Sequence, residues 1–195
     1  MTGLKPRLAR FVRRAAIALF SLLFAFSISA CDASDTQDSP TAAEPDSGAI
    51  AQATLAGTEL NPDITGELTV EETADGLLMQ GTLRNVPPGE HGFHIHEGES
   101  CADEGKAAGG HFNPRQVEHG FLPEDGLDNA HAGDTGNVEA AEDGTVNWSL
   151  EVPELTLAPG ELSVANRAVI LHAQPDDFGQ PTGNAGDRIA CGIIQ

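Results

Sequence analysis

The sequence predicts an all-β fold, an antiparallel sandwich or barrel of eight short strands with one long irregular loop. Three observations carry this expectation. Glycine and proline, 22 and 12 residues, make up 34 of 195 positions, about 17%, which is turn-rich yet below the low-complexity range of roughly 25–30%. Aromatic residues are 5% of the chain, with no Tyr and a single Trp148, so the core rests on Val, Leu, Ile and Ala. Beyond Ile28 no segment sustains a helical period, whereas several runs alternate apolar and polar residues. The length suits one domain of roughly 150 residues preceded by a targeting segment.

Residues 1–30 read as that segment. Lys5, Arg7, Arg10, Arg13 and Arg14 precede the 14-residue apolar run Ala15–Ile28, too short to span a hydrocarbon core of about 30 Å comfortably. An export signal fits better than an uncut anchor, and the Arg13-Arg14 pair is weaker evidence for twin-arginine export than for an ordinary basic leader. Ile28-Ser29-Ala30-Cys31 resembles the lipobox of bacterial lipoproteins, in which Cys31 becomes the lipidated first residue. The resemblance implies a bacterial cell envelope protein on the periplasmic face, attached to the membrane through lipid on Cys31. Residues 31–48 follow as an acidic tether: DASDTQDSPTAAEPDSG has no apolar period and cannot bury enough surface to order itself.

Residues 49–195 form the folded domain. Strands are expected at Ile50–Thr58, Gly66–Thr73, Gly76–Arg84, Gly92–His96, Gly136–Ala141, Thr145–Val152, Arg167–Ala173 and Ile189–Ile194. In Glu67-Leu68-Thr69-Val70-Glu71, the apolar pair faces one side and the acids face the other. Val86-Pro87-Pro88-Gly89 and Ala74-Asp75-Gly76 supply turns. The stretch from Gly98 to about Thr135 is irregular, and loops of that length inside a compact domain are usually functional or disordered.

Charge excludes one class of partner. Five of the ten basic residues lie in the leader, which has no acid, so residues 31–195 carry 5 basic and 30 acidic groups, a formal −25. Nucleic acid and anionic membrane surfaces repel such a body, and no nucleic-acid partner is expected. An anionic substrate must be drawn by a local field.

Six of the seven histidines, His91, His94, His96, His111, His119 and His131, fall within 41 residues, and His172 ends a strand near the C-terminus. His94 and His96, two apart on a strand, point to one face and can reach one ion. The motifs His91-Gly92-Phe93-His94-Ile95-His96-Glu97, Gly110-His111-Phe112-Asn113-Pro114, His131-Ala132-Gly133-Asp134 and Gly183-Asn184-Ala185-Gly186-Asp187-Arg188-Ile189-Ala190-Cys191-Gly192, with His119 and His172 between them, resemble the copper-zinc superoxide dismutases. The resemblance runs in family order over roughly residues 50–194.

That resemblance implies an eight-stranded Greek-key barrel with long metal-binding loops. Carried over by position, His94, His96, His111 and His172 match the copper ligands, and His111, His119, His131 and Asp134 match the zinc ligands. Counting agrees: two four-coordinate ions need eight donors, seven residues are present, and an imidazole has two ring nitrogens. Imidazoles suit both metals, and a carboxylate among three imidazoles suits zinc. His91 fits no ligand position and reads as a packing or supporting contact. Asp176, beside Asp177, matches the acid that bonds ligands of both metals, and Cys101 and Cys191 match the family disulfide. Arg188 matches the arginine that guides superoxide; after the leader it is one of only five basic residues.

The implied reaction is dismutation of superoxide to dioxygen and hydrogen peroxide, an antioxidant activity in which His111 and Arg188 are the catalytic residues. Two departures stand out: the loop from His119 to His131 is longer than in the eukaryotic enzymes, and the loop from His172 to Arg188 is shorter and lacks their Glu and Lys cluster. A copper-binding or copper-buffering lipoprotein on the same scaffold is the alternative. A zinc hydrolase lacks H-E-x-x-H, and neither G-x-S-x-G nor a P-loop is present. Family members differ in oligomeric state, which leaves monomer and homodimer both open.

Overall fold

The structure is a computed structural model that describes residues 48–195. The leader 1–30, Cys31 and nearly all of the tether 31–48 lie outside the described residues. Among the described residues, no helix is long and apolar enough to cross a membrane.

Eight strands form in chain order: β1 (Ile50–Gly57), β2 (Thr65–Glu72), β3 (Gly76–Arg84), β4 (Gly89–Ile95), β5 (Asn137–Ala140), β6 (Val146–Pro153), β7 (Ala168–His172) and β8 (Arg188–Ile193). They hydrogen-bond in the order β5-β4-β7-β8-β1-β2-β3-β6, and every pairing is antiparallel. The two edge strands, β5 and β6, are consecutive in sequence. A tight turn joins them, with the Ala141 N–H donating to the Thr145 carbonyl at 2.9 Å and the Gly144 N–H donating to the Ala141 carbonyl at 2.8 Å. The edges therefore meet, and the sheet curls into a nearly closed barrel. The all-β expectation holds.

Strand positions agree with the sequence to within one or two residues, except that β4 begins at Gly89 rather than Gly92. Gly89, Glu90, His91 and Gly92 pair with Ala140, Glu139, Val138 and Asn137, so β5 draws the segment after Pro87-Pro88 into the sheet. A single helical turn, α1 (Leu122–Asp125), and a three-residue 3-10 turn at Lys106–Ala108 were not expected. Both are too short to leave a period in the sequence. Pro123, preset for a helical φ, and Gly126, which ends the turn at φ 71°, mark out α1.

Alternation on β1, β2 and β3 puts Leu55, Leu68, Val70, Leu77 and Met79 inside and Glu67 and Glu71 outside. Phe93 meets Trp148 edge to face, with ring centroids 5.2 Å apart. The buried Glu72 breaks the pattern. Its carboxylate accepts bonds from the Thr156 hydroxyl and the Leu157 N–H, both at 2.6 Å, and pins the crossover from β6 to β7. β7 is buried at all five positions, and β8 is buried from Ile189 to Gly192. Both faces are covered there: Val169 and Leu171 join the barrel interior, while Ile170 and Cys191 pack outward against Ala108 of the long loop. The space between barrel wall and loop is where the histidines lie.

Candidate metal centre

Phe93 and Ile95 enter the core, so His94 and His96 project from the outer wall, beside His172 at the end of the neighbouring β7. The long loop supplies the rest. His111 bridges backbone to backbone with His96, and the Gly133 N–H donates to the Phe112 carbonyl at 2.9 Å, bringing the His131–Asp134 turn alongside. Gly133 has no room for a side chain: a Cβ would strike the Ile95 carbonyl. All seven donors are at most 6% exposed.

They form two sets that share one ring. One potential ligand atom from each of His94, His96, His111 and His172 lies within 4.8 Å of the others, and the same holds for His111, His119, His131 and Asp134. The outer nitrogens are anchored. His94 Nε2 meets Asp176 Oδ2 at 2.8 Å, His96 Nδ1 meets the Gly109 carbonyl at 3.1 Å, and His172 Nδ1 meets the Gly186 carbonyl at 3.3 Å. His94 Nδ1, His96 Nε2 and His172 Nε2 are left as the inward donors, the last two 3.3 Å apart. On the other side, Nδ1 of His111, His119 and His131 converge on one oxygen, Asp134 Oδ1, at 2.8, 2.9 and 3.1 Å. Asp134 Oδ2 is fixed by the backbone N–H groups of Gly120 and His131, at 2.9 and 2.8 Å.

Three buried nitrogens lack a well-aligned hydrogen bond: Nδ1 of His94 meets no partner, and Nδ1 of His119 and of His131 only crowd onto the Asp134 oxygen that His111 already engages. Each unpartnered buried polar atom costs roughly 1–3 kcal/mol, and native interiors rarely tolerate a cluster of them. Ring nitrogens and a carboxylate that converge with too few partners among themselves are what a cation satisfies once His119 gives up its extra proton, so the donors fit two ions, with His111 between them. The four-imidazole set suits copper, and the set with one carboxylate suits zinc.

Protonation follows the same division. Burial drives His96 down to about 2, with help from nearby His111, and His172 down to about 3, with help from His94. Burial also lowers His111 to about 4, against the pull of Asp134. His119 goes the other way: burial opposes its charge, but the carboxylates of Asp134 and Asp176, 2.9 and 3.0 Å from its two ring nitrogens, raise it to about 9. Burial alone would raise both carboxyls, yet their histidine partners hold Asp134 and Asp176 well below the usual carboxylate range.

A family model described as copper/zinc superoxide dismutase matches residues 64–194. The chain belongs to the copper/zinc superoxide dismutase family. Among solved structures it is similar to the clock protein EA4, with 38% identity over 76% of this chain and 94% of that one, and a TM-score of 0.68. It is also similar to a double mutant of a SOD-like protein from Bacillus subtilis, with 36% identity over 73% of this chain and 95% of that one, and a TM-score of 0.66.

Within this superoxide dismutase fold, Asp176 rather than Asp177 spans the two sets: its carboxylate meets Nε2 of both His94 and His119, at 2.8 and 3.0 Å. Asp177 instead accepts from the Gly179 N–H and the Asn184 amide. The Asp176 backbone is held by a reciprocal pair of bonds with the Asn137 side chain, at 2.7 and 2.9 Å. Nothing in the sequence pointed to Asn137, because its partner lies 39 residues away. His91 joins neither set; its ring bridges the carbonyls of Pro87 and His172, at 2.7 and 2.8 Å. Phe178 stacks over His119 with centroids 6.3 Å apart, another contact that no local motif announces.

Cys101 and Cys191 are joined by a disulfide that closes 90 residues and ties the long loop to β8. Arg188 opens β8, and its guanidinium donates to the carbonyls of Gly105 and Gly109, the latter being the carbonyl that anchors His96. It lines a cavity of about 420 Å³ with Glu59, Glu104, Lys106 and Asp187.

Proposed function

We propose that the domain dismutates superoxide, with copper held by His94, His96, His111 and His172 and zinc held by His111, His119, His131 and Asp134. The observation that carries this reading is the shared His111 ring between an all-imidazole set and a carboxylate-containing set, with three inward nitrogens lacking a well-aligned hydrogen bond. A bound copper ion would supply the one-electron steps by which two superoxide ions and two protons become dioxygen and hydrogen peroxide. Zinc does not change oxidation state and leaves that chemistry to the four-histidine side.

The chain's own residues do the remainder. His111 is neutral near pH 7 and can hold or release a proton at either ring nitrogen, which makes it the proton-carrying group between the sets. Asp176 orients His94 and His119 together, so that neither ring turns independently. Arg188 attracts the anion. At about 0.1 M salt, charges beyond roughly 10 Å are screened, so a local guanidinium outweighs the distant acids of the body. Electrostatic steering of this kind raises the encounter rate of a small anion with its site, and superoxide dismutases as a class turn over close to the diffusional ceiling. Cys31 and the leader give the proposal its setting: a bacterial lipoprotein on the periplasmic face of the envelope, with residues 31–48 as tether.

Pulse radiolysis of the copper- and zinc-loaded full chain tests the reading. Catalysed decay of superoxide is expected, with a rate that falls about tenfold or more in Arg188→Ala and becomes less salt-dependent. The similarity to a clock protein and a SOD-like protein keeps a copper-buffering role in view. Tight copper binding with decay no faster than in free solution would favour that role instead.

A further inference from the structure

The loop between the disulfide and His111 contains three successive residues in the left-handed backbone region, Asp103 (φ 53°), Glu104 (φ 56°) and Gly105 (φ 75°). Glycine enters that region freely, whereas residues with a Cβ avoid it. Such strain persists only where surrounding contacts over-determine it, and it concentrates at functional sites. The contacts here form a closed ring around Arg188. The Arg188 carbonyl accepts the Thr58 hydroxyl at 2.9 Å, and the Thr58 N–H donates to the Ile189 carbonyl at 3.0 Å. Glu59, the next residue, donates its N–H to Glu104 Oε2 at 2.6 Å. Gly105, adjacent to Glu104, offers its carbonyl to the Arg188 guanidinium, and a Cβ there would lie 3.4 Å from Arg188 Cδ.

We infer that Glu104 is a positioning residue for Arg188: its carboxylate ties the left-handed turn to the β1–β2 connection, so that the Gly105 carbonyl meets the guanidinium and fixes where small inorganic anions are attracted. The inference rests on the anion-guiding role proposed for Arg188. Glu104 and Arg188 border the same cavity. The guanidinium bonds run to Gly105 and Gly109 of the long loop, which Glu104 ties down beside them. Two properties of Glu104 are separable. Its oxygen accepts the Glu59 bond, which a glutamine can also do, while its negative charge opposes an approaching anion.

Azide affinity, followed on the visible band of the cupric full chain loaded with both metals, distinguishes them. Glu104→Ala should weaken azide binding by about two- to tenfold, the range for losing one hydrogen bond, with copper and zinc contents unchanged. Glu104→Gln should bind azide at least as tightly as the wild type, because it keeps the acceptor and drops the charge. Equal affinity in the wild type and Glu104→Ala, or equal weakening in both variants, overturns the inference. Amide hydrogen exchange of the wild type needs no variant: the Glu59 amide should be protected relative to that of Leu60, and equally fast exchange at both also overturns it. A wild type that fails to dismutate superoxide while the azide pattern holds would remove the proposed function and leave the positioning role standing.

Discussion

Metal loading should release a number of protons set by two histidines, and that number should change with pH. His119 at about 9 is roughly 99% protonated at pH 7, whereas His96, His111 and His172, at about 2, 4 and 3, are neutral there. An ion entering the set that contains Asp134 must displace the His119 proton, about one per ion at pH 7 and about half of one at pH 9. A neutral His111 still carries one N–H. An ion entering the four-histidine set, with the other set filled, must take that proton too, so the two ions together draw about two protons from these rings at pH 7. Isothermal calorimetry in buffers of different ionisation enthalpy, with the ions delivered from a weak chelator, reads both counts. If release by the first ion is the same at pH 7 and pH 9, the coupling of His119 to Asp134 and Asp176 is wrong. If the second ion releases no proton, the His111 ring is not shared.

The same values fix how the metal-free domain responds to pH. His96, His111 and His172 are depressed from 6.5, so their contribution to stability is complete above about 6.5 and is lost as pH falls through about 4, 3 and 2. His119 is raised, so its contribution is complete below about 6.5 and is lost as pH rises through about 9. The melting temperature of the metal-free chain should therefore be highest near pH 6.5. A melting temperature that rises steadily from pH 6.5 to pH 9 would contradict the His119 assignment.

Two substitutions probe the sets separately. His131→Ala removes a donor from one set only, and elemental analysis should show zinc content falling far more than copper; equal loss of both would count against the division. Gly133→Ala drives a methyl group toward the Ile95 carbonyl and the Phe112 N–H, between the segments that carry His94, His96 and His111. It should cost about 1–3 kcal/mol, the usual range for overpacking, read as a melting temperature lower by several degrees. An unchanged melting temperature would mean that the loop stands further from the wall than the structure has it.

The strands were legible in the sequence because alternation and turns are local. β2 announces itself through Leu68 and Val70 against Glu67 and Glu71, and the β2–β3 turn through Ala74-Asp75-Gly76. β7 was legible for a different reason, as an unbroken apolar run whose double burial makes alternation unnecessary. The donors could be named because histidine clusters are rare and their order matched a known family. What could not be read was which atom of each donor faces inward. That is decided by carbonyls and carboxylates far along the chain: Gly109 for His96, Gly186 for His172, and Asp176 for His94 and His119. The choice between Asp176 and Asp177 likewise depended on Asn137 fixing the backbone, a contact without a sequence period.

The two sets also differ in what holds them. His94 and His172 lie on paired strands of the barrel wall, and His96 directly follows β4, whereas His111, His119, His131 and Asp134 all lie on the long loop. The four-histidine set is therefore largely built by the sheet. The other set is built by a loop, and two of its inward nitrogens, on His119 and His131, lack a hydrogen bond of their own unless an ion meets them. Zinc binding should consequently order the loop more than copper binding does, and His111 passes that order to the wall through its backbone bridge to His96. Hydrogen exchange gives the physical form of this asymmetry. Zinc alone should slow the amides of residues 111–135, while copper alone should protect mainly those beside His94, His96 and His172. Equal protection of the loop by either ion would mean that the loop is already held by its own contacts, such as those of Phe178 and Asp176, and that the ions only occupy it.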